Sequence, residues 1–472
     1  MTDAPVVLLV TTNGAGMGHL ARQTAVAQSA QGFRPFLVSM SVGIATVLPA
    51  TGMPGEYIPG YHRGWVPRGR WDAYLTARLS ALVDATNAAG VVFDGVAPYR
   101  GITALARARR DLPMVWFRRG LWRDGVNTRA LRSARYFDRI IEPGDVASAA
   151  DRGATASRQD ATRVGPVTLL ETTPALERGD AAAQLGLDPD RRTLLITLGA
   201  GNLNDTSAPT TAVLRAALNA PGDWQIALTS APIADAAGTE LADRVTVLRG
   251  VFPLVRYRAA FDAVVAASGY NAVHEFVLGG IPTLLIPNPA AATDDQVTRA
   301  RQLADVGRAL SAPEDDPVAI ATATGDLLST STLERLRAAN PQRAIDGASA
   351  AARIISEAIG SHPPRRPTVD PLVLRANALT GVRGVLGDER YRTLTHRLGR
   401  PQMDLTPRSV RIVTSAKTSV GEGERALLMT SDLSAVTPAA DPIVEHLGLE
   451  SAEYQRERRA IITRFYDVRG NQ

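Results

Sequence analysis

Short apolar runs alternate with longer helix-permissive segments along the first part of the chain. Each run is apolar at consecutive positions rather than at every second position, as the opening run VVLLV illustrates. Strands of this kind are buried on both faces, so the pattern predicts a parallel sheet that is covered by helices on both sides. The predicted strands are residues 6–10, 33–40, 91–93, 114–117 and 139–141.

The same alternation restarts after a polar stretch over residues 144–163. The last clear helix of this second part is predicted over residues 348–359, and the proline-rich stretch 361–367 that follows it is typical of a linker. The second part is predicted to contain a helix over 210–219 and strands over 193–198, 225–229, 245–248, 263–267 and 283–286.

The chain length agrees with this division, because 472 residues correspond to two or three domains at about 100–200 residues per domain. We predict two α/β domains, residues 1–165 and 166–360, followed by a partly helical C-terminal extension, residues 361–472, to which the sequence assigns no role. No apolar run approaches the roughly 18–20 residues that span a bilayer, and the start has no signal-peptide pattern. We therefore expect a cytoplasmic protein.

Two residue counts restrict the chemistry. The chain has no cysteine, which excludes a disulfide scaffold, a thiolate metal site and a cysteine nucleophile. Lys417 is the single lysine among 52 basic residues and follows no glycine-rich loop, which argues against both a P-loop enzyme and a pyridoxal-phosphate enzyme. The net charge of +5 is small for this length, and we expect no nucleic-acid partner.

A glycine-rich loop follows the first predicted strand. Gly14 and Gly16 are spaced as in a dinucleotide-binding loop, but the third glycine, Gly18, comes one position early, His19 occupies the last position of the motif, and no Asp or Glu ends the second strand. NAD is therefore not expected. The loop either makes a tight turn only or offers backbone N–H groups to an anionic or hydroxyl-rich ligand. His19 lies where open α/β sheets bind ligands, so we interpret it as a base or as a partner to a sugar or phosphate.

The second part of the chain carries a denser set of polar residues. Ser268 and Gly269 precede a predicted helix whose first turn can hold phosphate oxygens. Glu275 lies on that helix and suits bidentate hydrogen bonding to a vicinal diol such as ribose. The next helix begins near Asp295 and Gln296, whose side chains could hold sugar hydroxyls.

Together these motifs resemble those of GT-B glycosyltransferases, in particular the MurG-like group of peptidoglycan GlcNAc transferases and galactolipid synthases. Residues 267–302 are similar to that family's donor motif, which has Ser-Gly, then Glu, then Gly-Ile-Pro-x-Leu-x-Ile-Pro, then Asp-Gln near a helix start. Residues 14–19 resemble its N-terminal glycine signature and residues 199–202 its second phosphate loop. The resemblance covers residues 5–360 and implies an α/β fold of GT-B type, with two Rossmann-like domains that face a central cleft.

The resemblance also implies an activity. The expected enzyme is an inverting hexosyltransferase that moves a sugar from a nucleotide-sugar, with UDP as the favoured nucleotide, to a hydroxyl acceptor without a metal or other cofactor. Glu275 would bind the ribose, Ser268 and Gly269 the diphosphate, and Asp295 and Gln296 the donor sugar. The implied donor-binding residues are Gly16, Gly18, Gly199, Gly201, Asn202, Phe252, Ser268, Gly269, Asn271, Glu275, Asp295 and Gln296.

A transfer of this kind needs a base for the acceptor hydroxyl proton. His19 is one candidate, and Asp94 is the other because it follows the predicted strand 91–93. The alternative for Asp94 is a helix cap or a turn residue. The sequence does not separate a direct base from an orienting partner.

The acceptor side is predicted from composition alone. Eleven arginines and only three acidic residues lie between Arg100 and Arg139, and four of the five tryptophans fall in the first domain. Aromatic residues beside arginines suit a glycan, a phosphate-bearing small molecule or a lipid-linked acceptor at an anionic membrane face. The alternative is a solvated arginine-rich helix. The candidate acceptor residues are Trp65, Arg118, Arg119 and Trp122.

Two other functions stay open on the sequence. A UDP-sugar 2-epimerase shares the GT-B architecture, although the aromatic and arginine-rich region argues mildly against it. A non-catalytic nucleotide-sugar-binding protein, with residues 361–472 as an interaction module, is the alternative from a different class. Transfer or slow hydrolysis of a UDP-sugar would distinguish an enzyme from such a binder.

Overall fold

The computed structural model describes residues 4–12, 17–41, 43–58, 60–61, 68–199, 205–229, 244–342 and 344–361. Within these ranges the chain forms two sheets in which all paired strands are parallel, with helices packed on them. This confirms the α/β class that the uninterrupted apolar runs predict.

Seven strands of the described residues form the first sheet. In chain order they are β1 (Val6–Thr11), β2 (Arg34–Ser39), β3 (Gly55–Tyr57), β4 (Ala88–Asp94), β5 (Met114–Phe117), β6 (Arg139–Pro143) and β7 (Thr162–Val164). In space they lie in the order β3-β2-β1-β4-β5-β6-β7. The helices of this part are α1 (Gly18–Gln28), α2 (Ile44–Thr51), α3 (Arg68–Thr86) and α4 (Arg100–Ala108), and 3₁₀ turns lie at Thr128–Tyr136 and Ser148–Ala150.

In the described part of the chain, six strands form the second sheet. They are β8 (Arg192–Thr197), β9 (Trp224–Leu228), β10 (Val245–Val247), β11 (Ala263–Ala267), β12 (Thr283–Ile286) and β13 (Leu310–Ser311), and they lie in the order β10-β9-β8-β11-β12-β13. The accompanying helices are α5 (Arg178–Leu185), α6 (Ser207–Leu218), α7 (Tyr270–Ala272), α8 (Gln296–Asp305), α9 (Pro317–Leu328), α10 (Thr330–Ala339) and α11 (Gly347–Gly360), with a 3₁₀ turn at Leu254–Ala260 and a π-helical turn at Val273–Val277.

Both sheets share one topology. In each of them the strand order reverses beside the first strand, between β1 and β4 in the first sheet and between β8 and β11 in the second. Ligands of doubly wound sheets bind outside the carboxyl ends of the strands at such a reversal. Gly199, which follows β8, has a φ of +98°, a left-handed conformation that favours glycine. The fold therefore predicts a ligand site at each reversal.

Helix α11 returns from the second sheet to the first. Its buried residues Ala351 and Ile355 belong to the same apolar cluster as Val7 and Val26. The N–H groups of Ala348 and Ser349, at the start of this helix, donate to the carboxylate of Glu171. The end of the second predicted domain thus completes the core of the first.

The predicted limits at residues 165 and 360 remain predictions. Of the predicted extension 361–472, only Ser361 belongs to the described residues.

Candidate active site

The carboxyl ends of the two sheets meet in one site. Asn271 Nδ2, on α7, donates to the carbonyl oxygen of Gly18 at the start of α1 over 3.1 Å. The hydroxyl of Tyr270 donates to Gly144 O over 2.8 Å and accepts from Val167 N over 3.0 Å. These contacts place the first turn of α1 opposite the helix that follows β11. The two topological reversals therefore form a single cleft.

His19 and Asp94 form a hydrogen-bonded pair at the first reversal. Asp94 ends β4 and is fully buried, whereas the side chain of His19, in the first turn of α1, is 16% exposed. His19 Nδ1 lies 2.7 Å from Asp94 Oδ1. The structure therefore brings together the two residues that the sequence offered as candidate bases.

Two further side chains of α1 hold the Asp94 carboxylate. Arg22 donates from Nη2 to Oδ1 over 2.6 Å and from Nε to Oδ2 over 3.0 Å, and Gln23 Nε2 donates to Oδ2 over 3.0 Å. Positions three and four residues after His19 lie on the same face of a helix, which explains why all three reach one carboxylate. Burial alone would raise the pKa of Asp94, but the charges and hydrogen bonds of Arg22 and His19 lower it to about 2. Asp94 is thus ionised at neutral pH.

The ionised carboxylate fixes the tautomer of His19. A carboxylate can only accept, so the hydrogen of the 2.7 Å contact resides on His19 Nδ1 and the lone pair of the ring resides on Nε2. Burial lowers the pKa of His19 from its ordinary value, although Asp94 acts in the opposite direction. The imidazole is therefore neutral at pH 7 and able to accept a proton.

Glu275 lies in the π-helical turn that continues α7. It is 9% exposed, and burial raises the pKa of its carboxyl group to about 8. None of the described residues makes a hydrogen bond to this carboxyl group. A carboxyl group in such a position can accept hydrogen bonds from two neighbouring hydroxyls of a ligand, as expected for a ribose site.

Ser268 and Gly269 connect β11 to α7 beside the start of α8. Ser268 Oγ donates to the carbonyl oxygen of Gln296 over 2.7 Å, so this hydroxyl ties two elements of the second half together. The Oε1 atom of Gln296 accepts from Asn288 N over 3.1 Å, and its Nε2 atom lies 4.0 Å from where a Cβ on Gly269 would stand. The amide nitrogen of Gln296 therefore lies next to the start of α7.

Asp295 is the N-cap of α8. Its two carboxylate oxygens accept from Thr298 N over 3.0 Å and from Thr298 Oγ1 over 2.7 Å. The adjacent Asp294 is held by Arg299 Nη2 at 2.7 Å and by Arg119 Nη1 at 3.2 Å. Arg119 comes from the loop after β5, so this ion pair joins the two halves of the molecule. The carboxylate of Asp295 is already engaged in the helix cap.

A second interdomain attachment runs beside that ion pair. Trp122 and Asp294 form an isolated antiparallel bridge, and Arg123 Nη1 donates to Pro289 O over 3.0 Å. The N–H of Asp295 donates to Leu121 O over 3.1 Å. The segment after β5 therefore holds the loop that carries the predicted sugar-binding residues.

Two of the predicted acceptor residues lie in the interior. Arg118 is fully buried, and its guanidinium donates to Asp160 over 2.9 Å and to Glu142 over 3.3 Å. Trp122 is 1% exposed, and its indole N–H donates to Arg119 O over 2.7 Å. The structure corrects the prediction for both, because their side chains stabilise the first domain and present no surface to an acceptor. The side chain of Arg119 is 11% exposed and faces the cleft.

Four predicted site residues, Gly16, Trp65, Gly201 and Asn202, lie outside the described residues. Phe252 is half-buried and packs against the apolar cluster of the first sheet. Its predicted part in donor binding remains a prediction.

The sequence-based interpretation missed Arg22, Gln23 and Tyr270. Their signal is the spacing from the motif residues: Arg22 and Gln23 follow His19 by one helical turn, and Tyr270 follows Gly269 directly. In a chain that uses arginine almost exclusively as its cation, Arg22 does not stand out. The guanidinium carbon of Arg22 lies 5.1 Å from the centre of the Tyr270 ring.

No group of three or more His, Cys, Asp or Glu side chains in the described residues could hold a metal ion. Among the same residues, no helix has both the length and the apolar character to cross a membrane.

Comparison with known proteins adds independent information. Residues 244–351, which include α7 and α8, match the model of the glycosyltransferase family 28 C-terminal domain. A protein of Nocardioides sp. described as UDP-N-acetylglucosamine--N-acetylmuramyl-(pentapeptide) pyrophosphoryl-undecaprenol N-acetylglucosamine transferase is 28% identical over 331 residues, which cover 65% of this chain and 85% of that protein. A relative of the same description from Bacteroides thetaiotaomicron is 30% identical over 30% of this chain, and the match spans only 39% of that relative.

Solved structures share the fold at low identity. The calicheamicin glycosyltransferase CalG4 superposes with a TM-score of 0.51 at 18% identity over 76% of this chain and 99% of that chain. The UDP-GlcNAc 2-epimerase from Neisseria meningitidis superposes with a TM-score of 0.52 at 13% identity over 75% of this chain and 98% of that chain. These likenesses confirm the GT-B fold that the sequence predicts.

Proposed function

We propose that this chain, a MurG-like glycosyltransferase of the GT-B fold, transfers a sugar from a UDP-sugar to a hydroxyl acceptor with inversion at the anomeric carbon. One observation carries the proposal. The 2.7 Å pair of His19 and Asp94 belongs to one half of the molecule, and the hydrogen bond from Asn271 to Gly18 O holds it opposite the helix that bears Glu275. A base on one side of a cleft and a nucleotide-binding helix on the other are the two parts that such a transfer needs.

His19 acts as the base in this mechanism. Its Nε2 atom takes the proton of the acceptor hydroxyl while the oxygen attacks the anomeric carbon, and the bond from that carbon to the diphosphate oxygen breaks. Asp94 stabilises the imidazolium that forms, because its carboxylate holds the Nδ1–H. A single displacement of this kind inverts the anomeric configuration.

The second half holds the donor. Glu275 accepts hydrogen bonds from the ribose hydroxyls, and the free N–H groups at the start of α7 face the diphosphate, which they stabilise as it departs. Transfer without a metal is part of this proposal, and turnover in the presence of EDTA tests it. The curated relatives are named for UDP-N-acetylglucosamine, so this is the first donor to test.

We place the acceptor in the first half, next to a basic surface formed by α4 and the 3₁₀ segment after β5. Arg107 and Arg135 both lie over the ring of Tyr136, at 5.8 and 4.9 Å from its centre. A surface of this kind suits an anionic membrane that presents a lipid-linked acceptor. The exposed arginines of this surface are Arg100, Arg107, Arg110, Arg129, Arg132, Arg135 and Arg139. Failure to sediment with anionic vesicles at low salt would remove the membrane from the proposal.

The function is tested with UDP-, GDP-, ADP- and dTDP-sugars. The expected result is a rise in Tm with a UDP-sugar and release of UDP, with or without an added acceptor, at a rate that His19→Ala reduces. NMR of the product then gives the anomeric configuration. A UDP-sugar that is converted to its 2-epimer without release of UDP identifies the epimerase instead. Stabilisation by a UDP-sugar without any turnover identifies a binding protein.

A further inference from the structure

Arg22 is a buried arginine at the centre of the site. It is 2% exposed and binds both oxygens of Asp94, at 2.6 Å from Nη2 and 3.0 Å from Nε. Its Nη2 atom also lies 2.9 Å from His19 Nδ1. Oδ1 of Asp94 therefore accepts from the imidazole and the guanidinium at once, and Oδ2 is occupied by Arg22 and Gln23.

The guanidinium of Arg22 is held by aromatic rings from both halves of the molecule. Its central carbon lies 5.1 Å from the ring centre of Tyr270, on α7, and 5.9 Å from that of Phe117, on β5. The Tyr270 hydroxyl is fixed in turn by Gly144 O and Val167 N. Rings at these distances attract a cation through their π-faces. The fork of Arg22 is thus fixed before any substrate binds.

We propose that Arg22 is a positioning residue for the transfer: it clamps the Asp94 carboxylate so that Oδ1 faces His19 Nδ1, which leaves the lone pair of Nε2 directed at the acceptor hydroxyl. This inference rests on the proposed function. Arg22 acts through Asp94 and His19 and touches no reacting atom. A planar fork with two donors in a fixed geometry suits the task, and a lysine would not reproduce it.

The charged groups that face His19 come from three elements. Asp94 ends β4, Arg22 lies on α1 and Arg119 follows β5. Asp94 favours the protonated imidazole, whereas Arg22 and Arg119 disfavour it. Without the positive charge of Arg22, the negative charge of Asp94 acts more strongly on His19, so the pKa of His19 rises. The acid limb of the rate against pH then moves to higher pH.

The test compares Arg22→Lys and Arg22→Met in UDP release from a UDP-sugar between pH 5.5 and 9. We expect kcat to fall by about tenfold in Arg22→Lys and by about a hundredfold in Arg22→Met, with the KM for the donor within about threefold of wild type. In Arg22→Met the acid limb of the rate against pH should move to higher pH, so part of the lost activity of this variant returns at high pH. In Arg22→Lys, which keeps the positive charge, the acid limb should stay at the wild-type pH. If Arg22→Met does not fold, the kcat of Arg22→Lys decides the test.

Arg118→Lys is the matched control, because Arg118 is a buried arginine of the same domain that binds two carboxylates away from the cleft. It is expected to lower Tm without a shift of the acid limb. Wild-type kcat in Arg22→Lys, or an unshifted limb in a folded Arg22→Met, overturns the role of Arg22. If His19→Ala also keeps the wild-type rate, the base lies elsewhere, whereas a wild-type protein that releases no UDP from any UDP-sugar would show that the proposed function itself has failed. The failures are therefore distinguishable.

Discussion

His19 Nδ1 lies 2.7 Å from Asp94 Oδ1 although 75 residues separate the two in sequence. The contact depends on the parallel pairing of β1 with β4, in which Thr11 and Asp94 stand side by side at the carboxyl ends of the strands. The chain then turns into α1, whose first turn carries His19 back over those ends. The strand order of the sheet therefore assembles the pair.

Removal of either member of this pair is expected to slow the transfer. His19→Ala removes the base. Asp94→Asn replaces the carboxylate by an amide that can donate to His19 Nδ1, which favours the tautomer with the hydrogen on Nε2, where the acceptor proton should be taken up. We expect kcat for UDP release to fall by about 10²–10⁴ in both variants while donor affinity stays within about threefold. Asp84→Asn, at a side chain that is 68% exposed, is the control and is expected to keep the wild-type rate. Wild-type turnover in both pair variants would show that the base lies elsewhere.

Binding of UDP is expected to release a proton from Glu275. Burial raises the pKa of this carboxyl group to about 8, so it is largely protonated at pH 7 in the free protein. Hydrogen bonds from two ribose hydroxyls favour the ionised form and lower the pKa. The affinity for UDP should then rise between pH 6 and 8, by up to about tenfold per pH unit.

Calorimetry checks this linkage directly. The binding enthalpy at pH 7 should differ between phosphate and Tris buffers in proportion to their ionisation enthalpies. Glu275→Gln should bind UDP more weakly and with the same enthalpy in both buffers. Equal enthalpies for the wild type would contradict the assignment of Glu275 to the ribose.

The sequence predicts the inner strands of both sheets because these are buried on both faces, whereas the short edge strands β3, β7 and β13 were not predicted. Strands β1 and β11 are apolar at nearly every position, which a local pattern records directly. The sequence also identifies the candidate bases, since His19 and Asp94 come after the apolar runs of the predicted strands 6–10 and 91–93. Each candidate required only the general rule on the carboxyl ends of parallel strands, and the hydrogen bond between the two was not predicted.

What the sequence hides are partnerships between distant charges. Arg22 and Arg118 look alike in a chain with 52 basic residues, yet one clamps Asp94 in the cleft and the other pairs with Asp160 inside the first domain. The return of α11 to the first sheet is hidden too, because its apolar face fits either sheet. Local pattern determines burial, whereas the partner of a buried group is decided by the tertiary fold.

Acid is expected to destabilise the contact between the two halves through His274. This residue is fully buried, accepts from Val146 N over 3.0 Å, and burial lowers its pKa to about 4. Because the unfolded chain binds the proton near pH 6.5, the contribution of the neutral ring to stability is complete above pH 6.5. It is lost as the pH falls towards 4, by up to about 3 kcal/mol.

The measurement is urea unfolding at pH 8, 6, 5 and 4.5. Glu275, whose pKa burial raises to about 8, acts in the opposite direction, because its protonation stabilises the fold as the pH falls. The test is therefore the difference between the wild type and His274→Gln. The cost of His274→Gln relative to wild type, about 1–3 kcal/mol at pH 8 from the lost hydrogen bonds, should shrink as the pH falls from 6.5 to 4. Asp94 and Asp145 have pKa values of about 2, so their contribution to stability is lost only as the pH falls from about 4 towards 2. An unchanged slope in His274→Gln would assign the acid sensitivity to other groups.

Gly347→Ala is expected to weaken the docking of α11 on the first sheet. A Cβ at this position would stand well inside van der Waals contact with the backbone carbonyl oxygens of Gly165 and Pro166, which have no freedom to move aside as a side chain would. We expect the free energy of unfolding to fall by about 1–3 kcal/mol. Gly325→Ala, at an exposed position of α9 where a Cβ meets nothing within 4 Å, should instead raise it by about 0.5–1 kcal/mol through helix propensity. Chemical denaturation of both variants distinguishes the steric clash at Gly347 from the general effect of replacing a glycine by alanine. Equal changes in the free energy of unfolding of the two variants would show that the contact of Gly347 with the backbone of Gly165 and Pro166 tolerates a side chain.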